Sequence, residues 1–417
     1  MALALRAAFV ASVPRQPDHY DDSYFYHGAG VSIAEGQGYR SPYTESVTAM
    51  WPPGYPYVLG AAYKAFGHDD GWPAKWLNVA LGAATAGLLG LAVRKNFGER
   101  AGLLAAAMLA AYPAHIYFGP LVMPETFFTF LLVAAYCALV YLPPTIRTAA
   151  ILGIVGGAAT LVRGEALLLL PAYAAYWMVH RRSPREALLL AAISGVALAA
   201  CVAPWTYRNH RVMDAFIPVN TWSGEALWQG HHAGATGAYG YGDAELLEQV
   251  TRDLPPKEAE VEFASRQQRA ALRFMRDHPL EELRLIPRKL LYLSQGDGDA
   301  VAFWFRVPRG EGFVMSEFQV AMLRFASDFY YYAILAAAGA GVALLWRRRE
   351  RGRPDAPLAF IAALMAGWLV MHAWLFFGDP RYHLPLMPFL LILAAAAVDE
   401  LWRAVSPARA AAQSGGG

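Results

Sequence analysis

Glu125, Arg163 and Arg381 stand at the ends of long apolar runs, where an ionised side chain such as Glu125 is costly to hold and is a functional candidate by default, and Asp21 and Asp22 open a short helix in the loop between the first two runs. A carboxylate in such a place can take up a proton, and a guanidinium fork can grip a phosphate or another carboxylate through two parallel hydrogen bonds. Each residue also has a plain structural use. Asp21, Asp22 or Ser23 can cap a helix, Glu125 suits a helix N-terminus, Arg163 can pair with Glu165 two residues on, and both arginines can snorkel toward water. Adjacent helical residues point about 100° apart, so Asp21 and Asp22 do not both aim inward. Arg381 follows Gly378-Asp379-Pro380, a tight turn able to fix its direction. His231, His232 and His383 invite a metal reading, but they lack the spacing of helical metal ligands and have no cysteine nearby, so no metal site is assigned. His231 and His232 lie in a polar, Gly-rich loop able to close over a ligand.

The elements that must position these residues are membrane helices. The 417 residues are 56% hydrophobic and 16% charged, and the mean hydropathy of +0.27 is too high for an ordinary soluble domain. A net charge of +2, with the basic residues in short clusters, leaves no footprint for nucleic acid. Cys137 and Cys201 both fall inside apolar runs, away from any disulfide or metal pattern. Apolar runs near 2–14, 74–93, 101–118, 124–142, 148–162, 166–179, 187–205, 319–346, 357–377 and 383–398 predict an all-α polytopic protein of about ten transmembrane helices. The first run is short and contains Arg6, which also fits a cleaved signal peptide or a truncated start.

Charge orients the map. Arg94, Lys95 and Arg100, then Arg147, then Arg181, Arg182 and Arg185, then Arg347–Arg349, Arg351 and Arg353 fall on alternate turns, which are cytoplasmic by the positive-inside rule. Residues 15–73, the turn 118–124, the turn 163–165, the loop 206–318 and the turn 378–382 then share the opposite face. The chain reads as one transmembrane domain, 1–417, with a first outside loop at 15–73 and a large one at 206–318. In the first loop, a short helix opens at Asp21, Asp22 or Ser23 and closes at Gly36; a second follows Pro52-Pro53-Gly54 and ends near Gly67. In the large loop, Lys257–Asp277 and Glu281–Leu293 read as amphipathic helices.

With those elements in place, the motifs resemble the GT-C glycosyltransferases that use polyprenyl-phosphate sugars, in the branch of bacterial protein O-mannosyltransferase-like and aminoarabinose-transferase-like enzymes. Asp22, Tyr26 and Ala34-Glu35-Gly36-Gln37-Gly38-Tyr39 are similar to one family segment, and Trp51-Pro52-Pro53-Gly54-Tyr55-Pro56 to another. Glu125 before an aromatic run, Arg163-Gly164-Glu165-Ala166-Leu167-Leu168, the stretch from Asn220 to Gly237 with its Trp228-Gln229-Gly230-His231-His232, and Arg381-Tyr382 with Pro385 and Pro388 continue the likeness in order along nearly the whole chain. Two departures matter. Trp51 replaces the lysine that precedes Pro-Pro in the aminoarabinose branch, so that substrate is not carried over, and His231-His232 replace an Asn-Asn pair.

The resemblance implies a GT-C fold and an inverting transfer of one sugar from a polyprenyl-phosphate donor to an acceptor hydroxyl. Because a phosphodiester is already a good leaving group, one base and one or two cations form a sufficient set. Asp22 is then the expected general base. Asp21 and Glu125 are candidates for a second carboxylate or an acceptor contact, Arg163, Arg381 and Tyr382 for donor-phosphate binding, and Tyr26, His231 and His232 for loop contacts to ligand. No cofactor is implied, and metal dependence stays open. The implied partners are the lipid bilayer, the lipid-linked sugar donor and a glycan, lipid or protein acceptor, with the site on the periplasmic side of a bacterial inner membrane. A transporter or flippase of a lipid-linked substrate is the competing class; it predicts inverted repeats and broken midplane helices, whereas the ionisable residues here gather on one face. An inactive scaffold of the same fold is the third reading.

Overall fold

The structure, a computed structural model, describes residues 1–12, 22–67, 71–181, 183–240, 242–305, 316–349 and 356–405. Asp21, one of the candidate carboxylates, lies outside the described residues. The helices are α1 (Ala2–Ser12), α2 (Asp22–Ala34), α3 (Gly54–Phe66), α4 (Trp72–Phe97), α5 (Glu99–Ala110), α6 (Pro113–Tyr117), α7 (Glu125–Tyr141), α8 (Ile146–Thr160), α9 (Leu169–Arg181) and α10 (Pro184–Met213). They continue as α11 (Trp222–Gly230), α12 (Ala244–Asp253), α13 (Pro256–Asp277), α14 (Pro279–Leu293), α15 (Gly298–Phe305), α16 (Glu317–Arg349), α17 (Ala356–Trp374) and α18 (Met387–Val405). Tight 3-10 turns at Gly164–Leu168 and Pro380–Leu386 lead into α9 and α18. No strand forms among the described residues.

Every apolar run of the sequence contains a helix, but the runs differ in length. Helices α4, α10, α16 and α17, together with Pro380–Val405, are long and apolar enough to cross a membrane; α1, α7 and α8 are shorter apolar helices. Helices α5 and α9 have 12 and 13 residues, below the ~20 that span a bilayer core. The ten apolar runs are therefore not ten helices of crossing length. Small residues let the helices approach: Gly153 and Gly157 of α8 face Ser194 and Cys201 of α10, and Ser194 Oγ donates to the Ala149 carbonyl at 2.7 Å. Arg6 is buried between α1 and its neighbours, where its guanidinium donates to the carbonyls of Leu109 and Ala110, both at 3.2 Å. Apolar side chains such as Leu103, Ile154, Leu188 and Val196 remain exposed, as a lipid-facing surface requires.

The two ends of the bundle differ. At one end the basic turns meet: Arg100 and Arg403 flank the Asp399 carboxylate at 3.9 and 2.6 Å, and the Tyr141 hydroxyl donates to the Leu91 carbonyl at 3.0 Å. The opposite, loop-bearing end is knitted together by contacts between distant segments. The Gly54 N–H donates to the Leu161 carbonyl at 2.7 Å, an approach so close that a side chain at Gly54 would collide with that carbonyl. This explains the glycine after Pro52-Pro53. Arg208 Nη1 and Nη2 donate to the carbonyls of Thr48 and Tyr39 at 2.6 and 3.1 Å. The Glu260 carboxylate on α13 accepts from Thr48 Oγ1, the Ala49 N–H and Thr221 Oγ1 at 2.6, 2.9 and 2.8 Å, joining the first loop to α11.

Candidate active site

A cleft of about 130 Å³ opens among the ends of α2, α7, α8 and α11 and the turn before α18. Asp22, at the first position of α2, sends Oδ2 to Arg381 Nη1 at 2.8 Å. Arg381 Nε lies 3.4 Å from Glu125 Oε1, which also accepts from Arg163 Nη1 at 2.9 Å. Arg163 closes the chain by donating from Nη2 and Nε to Glu165 Oε1 at 2.8 and 3.2 Å. The order along the network is thus Asp22, Arg381, Glu125, Arg163, Glu165. Pairing of Arg163 with its near neighbour Glu165 and with the distant Glu125 are both realised. Glu125 is 1% exposed, whereas the Arg381 and Asp22 side chains are 17% and 29% exposed, so accessibility rises toward Asp22.

Local sequence explains each placement. The Asp379 carboxylate accepts the Arg381 N–H at 2.8 Å and starts the 3-10 turn. Gly378 donates its N–H to the Gly237 carbonyl at 2.8 Å and lies against Lys289 so closely that a Cβ there would land on the Lys289 carbonyl. Arg381 is aimed by that turn. Tyr382 lies beneath both cations, with its ring centre 5.1 Å from the Arg163 guanidinium and 5.7 Å from that of Arg381. Tyr26, one turn beyond Asp22, is buried against Trp51 and Tyr55, and burial with nearby Asp22 and Glu125 pushes its phenol well above the usual range, so it stays a neutral hydrogen-bonding group. Burial opposes the charge on Glu165, but Arg163 outweighs it and holds the carboxyl below its ordinary range.

The network also has idle atoms. Glu125 Oε2 and Arg381 Nε are buried without a hydrogen-bond partner. A buried unsatisfied group costs roughly 1–3 kcal/mol, so such groups mark a place where a ligand can contribute bonds.

Asp22, Tyr26, Glu125, Arg163, Arg381 and Tyr382, expected from four separate regions of sequence, all line this one cleft. His231 and His232 do not. His231 is sealed, with Nδ1 2.7 Å from Glu282 Oε2 and Nε2 3.3 Å from Lys289 Nζ, and His232 stacks on Trp228 at 4.2 Å. The same loop stretch instead lends Asn220, Trp222, Ser223 and Ala226 to the cleft wall. His383 is likewise committed, to the Leu293 carbonyl at 2.7 Å and to Asp297 at 2.8 Å. Among the described residues, no three His, Cys, Asp or Glu side chains are grouped to hold a metal ion. Trp222 and His372 also line the cleft, outside the residues expected there from sequence. Trp222, stacked on Trp51 at 4.3 Å, was detectable as an aromatic next to the Asn220 motif start; His372 lay inside an apolar span and gave no signal.

Comparison with known structures settles the architecture. The archaeal oligosaccharyltransferase AglB from Archaeoglobus fulgidus, in a complex with an inhibitory peptide and a dolichol-phosphate, superimposes with a TM-score of 0.56 at 14% identity over 100% of this chain. ArnT from Cupriavidus metallidurans in the apo state gives 0.54 at 16% identity over 99%. The chain has the GT-C fold. It is similar to these glycosyltransferases along its full length but spans only 52% and 60% of theirs. Residues 51–207 match the family model described as dolichyl-phosphate-mannose-protein mannosyltransferase, a segment holding Trp51-Pro52-Pro53-Gly54, Glu125 and Arg163. No curated protein sequence matches the chain. The cleft occupies the loop-bearing end of this GT-C bundle, where segments far apart in the chain converge.

Proposed function

We propose that this GT-C protein is an inverting glycosyltransferase that moves a single sugar from a polyprenyl-phosphate donor to an acceptor hydroxyl, with Asp22 as general base. The observation that carries the reading is the 2.8 Å contact between Asp22 and Arg381 inside a cleft that also presents Arg163. A base and the cations for a departing phosphate lie side by side, without a second carboxylate having to act as an acid.

In this mechanism the donor phosphate competes with Asp22 for Arg381 Nη1, while Nε stays beside Glu125. Asp22, released from the guanidinium, accepts the proton of the acceptor hydroxyl. The hydroxyl oxygen bonds to the anomeric carbon as the bond from that carbon to the phosphate oxygen breaks, and the electron pair leaves with the phosphate. Arg381 and Arg163 stabilise the charge that develops there. Tyr382 holds the two guanidinium groups in register. Attack from the side opposite the leaving group inverts the anomeric centre.

The dolichol-phosphate present in the AglB complex supports the donor class. The gathering of Arg100 and Arg403 at the far end of the bundle supports an extracytoplasmic cleft, which in a bacterium is the periplasmic side of the inner membrane. The test is to incubate the purified protein with a panel of polyprenyl-phosphate sugars, identify bound donor by mass spectrometry, and determine the anomeric configuration of the product. One donor bound and consumed with inversion is the expected result. Binding of no donor sinks the reading and favours a transporter.

A further inference from the structure

A second cavity, of about 810 Å³, adjoins the cleft on the other side of Trp222. Its walls come from the first loop (Ser41–Met50) and from α11, α12 and α13, and are mostly apolar. Three observations identify what it suits. Gln267 on α13 is 0% exposed and lines the cavity, yet neither Oε1 nor Nε2 has a hydrogen-bond partner. A fully buried amide with both its donor and its acceptor idle is costly, and a ligand that both gives and takes hydrogen bonds relieves that cost. Aromatic rings from Tyr43, Trp222 and Phe263 contribute flat apolar surface. Finally, among the described lining residues none is Lys, Arg or His, whereas Glu225 and Glu248 are acidic.

These features exclude one class of ligand and favour another. A phosphate or other anion finds no cation there and meets carboxylates instead. A purely hydrocarbon chain leaves the Gln267 amide without bonds. A neutral saccharide has an apolar C–H face to lay on an aromatic ring and a rim of hydroxyls to bond carboxylate and amide. We propose that this cavity binds a neutral saccharide as the acceptor, and that its hydroxyl reaches Asp22 past Trp222. The proposal rests on the transferase reading of the cleft. It divides the labour between the two cavities: the cleft with its arginines takes the anionic donor, and the acidic, aromatic cavity takes the uncharged acceptor.

The experiment uses the full chain in detergent and three neutral probes, maltotriose, cellotriose and mannotriose, followed by saturation-transfer NMR. Glucose 6-phosphate and a Ser/Thr-rich peptide serve as contrasts. At least one trisaccharide binds saturably, and Gln267→Leu and Phe263→Ala each weaken it about tenfold. Thermal melting and donor binding of Gln267→Leu stay at the level of the unmodified protein, which separates loss of a contact from loss of the fold. If Gln267→Leu melts early, Phe263→Ala alone decides. The proposal is overturned if no trisaccharide binds, if binding ignores both substitutions, or if the peptide or the sugar phosphate binds in their place. Saccharide binding that depends on Gln267, in a protein that binds no lipid-phosphate donor, would instead overturn the transferase reading and leave the cavity assignment standing.

Discussion

Two charge networks in this protein use the same chemistry to opposite ends. In the cleft, Asp22, Arg381, Glu125, Arg163 and Glu165 form a chain whose outer members, Asp22 and Glu165, are 29% and 12% exposed. Beneath α11, His231 lies between Glu282 and Lys289, and His231 and Lys289 are 0% exposed. Both join segments far apart in sequence, and both hold a buried carboxylate oxygen without a partner, Glu125 Oε2 in one and Glu282 Oε1 in the other. Access separates them. Arg381 can exchange one anion for another because its partner Asp22 faces the cleft, whereas Lys289 has nowhere to go. The sealed network is a joint between α11 and α14. Burial pulls the His231 imidazole down to about 3 and the Lys289 ammonium down to about 8, as expected of groups committed to one environment.

The largest expected effect follows from removing the proposed base. Asp22→Asn keeps the shape and a hydrogen bond to Arg381 but cannot take a proton, so transfer should fall by about 10³-fold while thermal melting stays nearly unchanged. Lys289→Met should behave in reverse. Removing one partner of a buried charged group leaves Glu282 uncompensated, and stability should drop by about 3 kcal/mol with turnover per folded molecule retained. Melting curves and rates on both variants test the contrast together. If Asp22→Asn melts early, or if Lys289→Met loses turnover at full stability, the two networks have been given the wrong roles.

A smaller effect sharpens the comparison inside the cleft. Arg381→Lys retains the charge but loses the fork that lets one side chain face both Asp22 and Glu125. The transfer rate should fall about 30-fold, with weaker donor binding. Equal rates for the two side chains would mean that charge alone matters and that the geometry of the turn before α18 is incidental.

Much of the frame is legible in sequence because it is set by local rules. Apolar runs place the helices, Pro52-Pro53-Gly54 opens α3, and Gly378-Asp379-Pro380 makes the turn that aims Arg381, since each depends on neighbours within a few residues. The alternation of basic turns further implies that Asp22, Glu125, Arg163 and Arg381 share a face. What cannot be read is which charges touch. Arg381 meets Asp22 across 359 positions of chain, a contact fixed by how helices cross. The sealed joint left a fainter trace: Glu282, Leu285, Lys289 and Leu293 form the buried stripe of α14, and two charged residues at spacings of a helical apolar face signal a buried partner. Its partner, His231, gives no such signal, because a buried Gly-rich loop and an exposed one look alike in sequence.

Glu225 stands between the two networks and gives the smallest and most discriminating prediction. It lies on α11 one turn beyond Trp222 and accepts from Gln229 Nε2 at 3.2 Å. Burial raises its carboxyl to about 7, with a further push from the negative charge of Asp22. A raised carboxyl means that the folded protein prefers the protonated form, so its contribution to stability is full below the ordinary carboxylate range and is lost as pH rises through about 7. Glu225→Gln keeps the neutral shape at every pH. The melting temperature of the unmodified protein should therefore decline as pH rises from about 4.5 to 7, by a few degrees more than that of the variant. Combining Glu225→Gln with Asp22→Asn locates the source: if the charge of Asp22 reaches α11, Asp22→Asn alone already flattens part of the decline. Equal slopes in the unmodified protein and Asp22→Asn, with a flatter slope in Glu225→Gln, would mean that the cleft's charge stops at Arg381 and that α11 senses only its own burial.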